Sequence, residues 1–124
     1  MPRPAKKALG KNGENVAASF LRANGYRILA SQWRGERYEL DLIAEKSGAL
    51  VFIEVKTVSD ETMGPPEYKI DSQKQKRIIQ AAQEYLASID SFYIDIRFDA
   101  ILIKWSDKKP PEIRHLESAF TSDS

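Results

Sequence analysis

The segment from Glu39 to Lys56, ELDLIAEKSGALVFIEVK, constrains the fold of this chain more than any other. It reads as two strands joined by a tight turn. Buried strands should carry little charge, yet this pair holds Glu39, Asp41, Glu54 and Lys56. Side chains alternate faces along a strand. Tyr38, Leu40, Leu42 and Ala44 are therefore expected on one face of the first strand, and Glu39, Asp41 and Ile43 on the other. On the second strand Val51, Ile53 and Val55 share a face, and Phe52, Glu54 and Lys56 the opposite one. A two-residue turn at Ser47-Gly48 sets Asp41 across from Glu54, Glu39 across from Lys56, and Ile43 across from Phe52. All four charges then collect at one end of one face, and the other face is aliphatic.

Two directly opposed carboxylates repel each other. Proton sharing would relieve the repulsion by raising one pKa. So would Lys56 lying between the acids, or a divalent cation that turns repulsion into coordination. Mg²⁺ takes oxygen ligands, often only one or two carboxylates, and keeps water for chemistry. The structural alternative is a surface ladder in which Glu39 pairs with Lys56 while Asp41 and Glu54 are solvated. Ile43 and Phe52 on the same face imply that it is partly covered, which weighs against the ladder.

The remaining sequence sets this hairpin in one domain, residues 1–124, of ordinary soluble composition: 42% hydrophobic and 30% charged residues. No window approaches the roughly 18 apolar residues of a membrane span, and no signal-peptide pattern opens the chain. The absence of Cys excludes disulfides, thiolate chemistry and Cys-ligated metal sites, and is compatible with a cytoplasmic location. A single His excludes a zinc site built on several histidines.

Residues 1–10 read as a mobile basic arm, with Arg3, Lys6 and Lys7 preceding Lys11. A helix is expected from Asn12 as N-cap to about Asn24, with Gly25 as its left-handed stop. Strands follow at Tyr26–Arg34 and through the two arms of the hairpin. Ser59–Ile70, with Gly64, Pro65 and Pro66, reads as a loop. A second helix spans about Ser72–Ser88, with Ile78, Ala82, Tyr85, Leu86 and Ile89 facing a core. Phe92–Trp105 is a long strand bulged near Asp99, EIRHL a short edge strand, and 118–124 a frayed tail. The order is α-β-β-β-α-β, with a final short strand.

Asp41 followed by Glu54-Val55-Lys56 on the next strand is the mark of the PD-(D/E)XK restriction-endonuclease-like superfamily. The stretches GKNGENVAASFLRANGYRILASQWR, ELDLIA, LVFIEVKT and KQKRIIQAAQEYL resemble the YraN-like family of small bacterial proteins. The likeness runs from about Gly10 to Ile103. It implies a restriction-endonuclease-like α/β core, a mixed sheet flanked by helices. It also implies that Asp41 and Glu54 bind Mg²⁺ or Mn²⁺ and that Lys56 positions or activates the attacking water. Glu14 matches the family's G-x-x-G-E start and is expected to point inward, toward a metal or its water shell. The alternative role for Glu14 is a carboxylate serving the helix dipole. Val58 stands where relatives often carry Arg, so one phosphate contact is expected to be missing.

Lys74, Lys76 and Arg77 in the first turn of the second helix oppose its dipole, which points to a bound anion nearby. Lys74, Arg77 and Lys11 are the candidate nucleic-acid contacts, although solvation alone also explains such clusters. His115 reads as a surface or packing residue rather than a ligand, and Trp33, Trp105 and Tyr93 as core packing. Asp95 and Asp99 share strand parity with Arg97, and a salt-bridged edge is expected there. The functional expectation is a Mg²⁺-dependent endonuclease or phosphodiesterase on DNA, branched or damaged, acting as a monomer or as a homodimer that completes a cleft. The alternative is a catalytically silent nucleic-acid or protein-binding module of the same fold.

Overall fold

A computed structural model of the chain describes residues 6–58, 69–107 and 109–122, with side chains from Asn12 onward. Two helices and five strands follow one another as α1 (Lys6–Ala23), β1 (Arg27–Arg34), β2 (Glu39–Lys46), β3 (Ala49–Val58), α2 (Ser72–Ser88), β4 (Asp95–Lys104) and β5 (Glu112–Phe120). The strands form one mixed sheet in the order β1-β2-β3-β4-β5. β4 runs parallel to β3, and every other neighbouring pair is antiparallel. α2 makes the crossover that a parallel pair requires. The result is an α/β fold consistent with a restriction-endonuclease-like core.

Each face of the sheet carries one helix. Ala17, Ala18 and Leu21 of α1 pack with Leu42, Val51, Ile53 and Ile101. Ile78, Ala81, Ala82 and Tyr85 of α2 pack with Ile43, Leu50, Phe52 and Phe98. β2 and β3 are thus covered on both sides, which explains their nearly unbroken apolar runs.

The hairpin register is the expected one as far as the ladder extends, from Lys46↔Ala49 through Ile43↔Phe52 to Leu42↔Ile53. Ser47 and Gly48 both have positive φ, 52° and 83°, as a two-residue primed turn demands. Beyond Leu42 the ladder stops, so Asp41 and Glu54 are not a cross-strand pair. The strict alternation on β2 also fails there. Leu40 packs on the α2 side and Leu42 on the α1 side, although a regular strand would put both on one face. The partner strand shows the cause. Gln32, opposite Asp41 between the pairs Ser31↔Leu42 and Trp33↔Leu40, has a left-handed φ of 49°. A residue in that conformation turns the strand over locally.

Other boundaries move. α1 begins at Lys6, so Asn12 lies inside the helix and is not its N-cap. The arm expected over 1–10 is helical from Lys6 onward, and its first five residues lie outside the described ones. α1 ends as expected at Gly25, φ 88°, where Gly25 N–H donates to Arg22 O at 3.1 Å and Tyr26 N–H to Leu21 O at 3.0 Å. That is a Schellman close, with Leu21 and Tyr26 both buried. α2 matches its expected span, and Asp71 caps it by accepting from Lys74 N–H at 2.9 Å. The loop expected over 59–70 falls largely outside the described residues.

β4 starts at Asp95, leaving Phe92 and Ile94 outside the strand and exposed. The irregularity expected at Asp99 is present: Phe98 pairs with Phe120 but Ala100 with Leu116, so β5 carries the extra residues. β5 continues to Phe120, which is buried. The frayed tail expected from Ser118 is therefore strand for its first three residues, with Ser118 N–H donating to Asp99 Oδ1 at 2.9 Å.

Candidate active site

The end of the β2–β3 ladder creates the site. Where β2 leaves β3, the Asp41 carboxylate takes over as acceptor: Oδ2 receives Val55 N–H at 2.9 Å. This bond fixes the acid beside the E-x-K segment without a ladder pairing. Burial pushes the Asp41 carboxyl above the usual carboxylate range. The Val55 hydrogen bond opposes that shift, the Glu54 charge adds to it, and Lys74 counters it.

Glu54 comes from the centre of β3, and its side chain is 10% exposed. One oxygen, Oε1, meets Lys74 Nζ at 3.0 Å. The other, Oε2, is buried with no hydrogen-bond partner among the described residues. A cavity of about 20 Å³ lies between Glu39, Asp41, Glu54, Lys74 and the apolar wall of Leu40, Ile53 and Ile78. That is the size of one water molecule.

Lys56, two residues beyond Glu54 and so on the same strand face, is exposed. Glu39 does not pair with it. Glu39 Oε1 lies 3.4 Å from Arg34 Nη1 on β1, and both side chains are well exposed. The charged ladder considered from sequence is thus replaced by a Glu39–Arg34 pair.

Glu14 projects from α1. Its carboxyl is raised by burial and by the nearby Asp41 and Glu39 charges, and the Gln32 side chain counters the shift as a hydrogen-bond partner. α1 reaches this position because Gly13 carries no side chain: a Cβ there would overlap the Thr57 Cγ2 methyl of β3. A polar cleft of about 340 Å³ opens beside Glu14, with Ser19, Arg22, Ser31 and Gln32 among its lining residues. Glu14 is electrostatically coupled to Asp41 but does not join a tight three-acid cluster. Among the described residues no group of three or more His, Cys, Asp and Glu side chains has metal-holding geometry. The candidate cation ligands brought together are Asp41 and Glu54.

The basic candidates separate. Lys74 is in the site. Arg77 lies one turn further along α2, with its guanidinium 5.9 Å from the centre of the Tyr38 ring. Lys11 is in α1, and its side chain is outside the described residues. Sequence reasoning missed Gln32, because nothing in its residue type signals a left-handed backbone.

A second polar cluster, on the α1 face, is complete in itself. Asp99 is 1% exposed. Its carboxylate accepts from Arg97 Nε and Nη2, both at 2.9 Å, and from Ser118 N–H, and lies 2.7 Å from His115 Nε2. Burial would raise the Asp99 carboxyl, but the bonds to His115, Arg97 and Ser118 outweigh it and hold the carboxyl below its ordinary value. His115 also sets its ring edge-on to Phe20 and Tyr26. This is a structural tie between β4 and β5, as the packing reading of His115 and the salt-bridged reading of Arg97 and Asp99 anticipate. A larger cleft of about 420 Å³ lies between α2 and the β4–β5 edge, apart from the Asp41–Glu54 carboxylates.

The comparisons with known proteins match the sequence of this chain over nearly its whole length. A UPF0102 protein of Chlorobaculum parvum is 44% identical over 121 residues, covering 94% of each chain. One from Chlorobaculum tepidum is 43% identical over the same span and share. A third, from Flavobacterium psychrophilum, is 38% identical over 112 residues, 90% of this chain and 92% of the relative. The profile of the uncharacterised protein family UPF0102 matches residues 13–103, from the glycine that seats α1 to the end of the β4 core. The chain therefore belongs to the UPF0102 family, the one that its YraN-like motifs indicate.

Proposed function

We propose that this protein is a divalent-metal-dependent phosphodiesterase acting on DNA in the cytoplasm, with Asp41 and Glu54 as the ligands of Mg²⁺ or Mn²⁺. The observation that carries this reading is the state of Glu54. A carboxylate nine-tenths buried, with one oxygen unpartnered, is costly unless a cation completes it. Asp41, held at the same cavity with its carboxyl pushed up, presents the same demand. Hard oxygen ligands, few in number and at the rim of a polar site, suit Mg²⁺, which retains several waters.

A divalent ion bound there would supply positive charge to a phosphate oxygen and lower the pKa of a bound water. The chain's own residues do the rest. The Val55 N–H fixes the Asp41 carboxylate at the cavity. Glu54 presents Oε2 from a rigid central strand. Lys56, exposed on the same face, offers an ammonium to a phosphate oxygen or to the attacking water. Glu14, with its raised pKa, stands on the α1 side of Asp41, suited to accept a proton or to hold water. Lys74 and Arg77 at the start of α2 provide positive charge for the DNA backbone.

A catalytically silent binding module of the same fold is favoured by one observation: no tight cluster of three acidic ligands forms among the described residues. A substrate panel separates the two readings. Linear, nicked, flapped and four-way DNA are incubated with Mg²⁺ or Mn²⁺, beside a Glu54→Ala control. Cleavage of any substrate by the unmodified chain but not by the control supports the phosphodiesterase. Binding without cleavage across the panel supports the silent module.

A further inference from the structure

We propose that Lys74 is an exchangeable counter-ion: its ammonium occupies Glu54 while no divalent cation is bound, and moves to a DNA backbone phosphate when one binds. The inference rests on the reading of Asp41 and Glu54 as the cation site, and it assigns that site a built-in coupling between metal and nucleic acid.

The geometry of the pair is asymmetric. Glu54 is 10% exposed, whereas Lys74, 3.0 Å away, is 49% exposed. The carboxylate is fixed in the sheet, and the lysine reaches it on a flexible four-carbon stem from the solvent side. Breaking the contact therefore moves Lys74 and leaves Glu54 in place.

Lys74 also does electrostatically what a cation would do. It counters the repulsion that Glu54 and Glu39 impose on Asp41 while contacting Glu54 directly. One ammonium thus serves both proposed ligands. It cannot serve them alongside a hydrated metal. The cavity between the two acids holds about 20 Å³. Mg²⁺ that keeps several waters needs more, since a single water already takes about 10–15 Å³ of such space. Leu40, Ile53 and Ile78 form the buried wall of the cavity, and Glu39 and Lys74 are its exposed sides, of which Lys74 is the cation that a metal ion repels. Room for the hydrated ion is made by displacing Lys74.

The released ammonium remains tethered to the first turn of α2, next to the exposed Lys76 and Arg77. Its nearest new role is with a phosphate lying over the site. Because Lys74 favours one state without metal and the other with it, metal and DNA strengthen each other's binding, and the effect is reciprocal by linkage.

The test compares the unmodified chain with Lys74→Met, which keeps the apolar stem and removes the charge. Mn²⁺ is titrated calorimetrically without DNA. Removing the competing cation should tighten Mn²⁺ binding by about three- to tenfold, the order expected of a half-exposed ion pair with a buried partner. In Ca²⁺, a short DNA duplex should gain affinity over the metal-free condition in the unmodified chain, and gain less in Lys74→Met. A measurement on the unmodified chain covers the case of a misfolded variant: the Lys74 ¹³Cε and ¹⁵Nζ resonances should move toward those of an exposed lysine as Mg²⁺ is added. Equal Mn²⁺ affinity in the two proteins, or Lys74 resonances that stay fixed while metal binds, overturns the exchange and leaves the metal site standing. Absence of Mn²⁺ binding in both proteins overturns both.

Discussion

Gly13→Ala is the substitution whose outcome the packing decides most clearly. In an open helix interior the change stabilises by about 1 kcal/mol, because Ala loses less backbone entropy than Gly. Here the new Cβ would overlap the Thr57 Cγ2 methyl, with Ile103 Cδ1 behind it at 3.8 Å. Thr57 is β-branched and sits in a strand paired with β4, so its rotamer is stiff and its backbone is held. Overpacking of this kind costs about 1–3 kcal/mol. The two effects oppose each other, and the net expectation is a destabilisation of about 1 kcal/mol. Urea unfolding followed by circular dichroism measures it. Thr57→Ser removes the obstructing methyl, so Gly13→Ala in that background should become stabilising, with a coupling of about 2 kcal/mol across the double-mutant cycle. A stabilising Gly13→Ala in the unmodified background would refute the close seating of α1 on β3. With it would go the account of how Glu14 reaches Asp41.

Further outcomes follow from the same structure. Asp41 has a raised pKa in the fold, so its ionisation costs stability: the contribution is intact below the ordinary carboxylate pKa and is lost as pH rises through the folded value. Asp41→Asn should therefore raise the metal-free urea midpoint at neutral pH, and the gain should vanish in acid. Asp99 has the opposite sign, because its lowered pKa gives stability that is present above the ordinary carboxylate pKa and lost as pH falls through the folded value. Asp99→Ala should cost about 3 kcal/mol by chemical denaturation, since it strands Arg97 and His115. Lys56→Ala should change stability by less than about 0.5 kcal/mol, as exposed sites do, yet abolish cleavage in a nicked- or flapped-DNA assay. Glu39→Ala, which breaks the exposed pair with Arg34 and removes a charge that raises the Asp41 carboxyl, should leave cleavage intact.

What could be read in the sequence was whatever a short-range rule controls. The Ser47-Gly48 turn fixes the register of the hairpin, and that register places Ile43 on Phe52 as observed. The same rule brings Asp41 and Glu54 to one end of the hairpin. It failed at Leu40, because the face switch originates in the left-handed Gln32 on a different strand, and a Gln gives no sign of such a conformation. The start of α1 was illegible for a related reason. Asn12 is a good cap by residue type, but the helix extends past it to Lys6. An anion was expected near the basic first turn of α2. The one found there is Glu54 of the chain itself, a contact that depends on how the crossover returns to the sheet. The partners of Asp99 depend on the extra residues of β5, whose number no periodicity encodes.

The central claim is that Asp41 and Glu54 together hold a divalent cation, and paramagnetic broadening by Mn²⁺ tests it most directly. In a ¹H–¹⁵N spectrum of the full chain, substoichiometric Mn²⁺ should selectively erase amide signals around Asp41 and from Glu54 to Lys56. Asp99 and its partners, whose bonds are already complete, should keep theirs. Glu54→Gln should restore the lost signals at the same Mn²⁺ concentration. Broadening that is uniform, that centres on another acidic group, or that persists unchanged in Glu54→Gln would contradict the account.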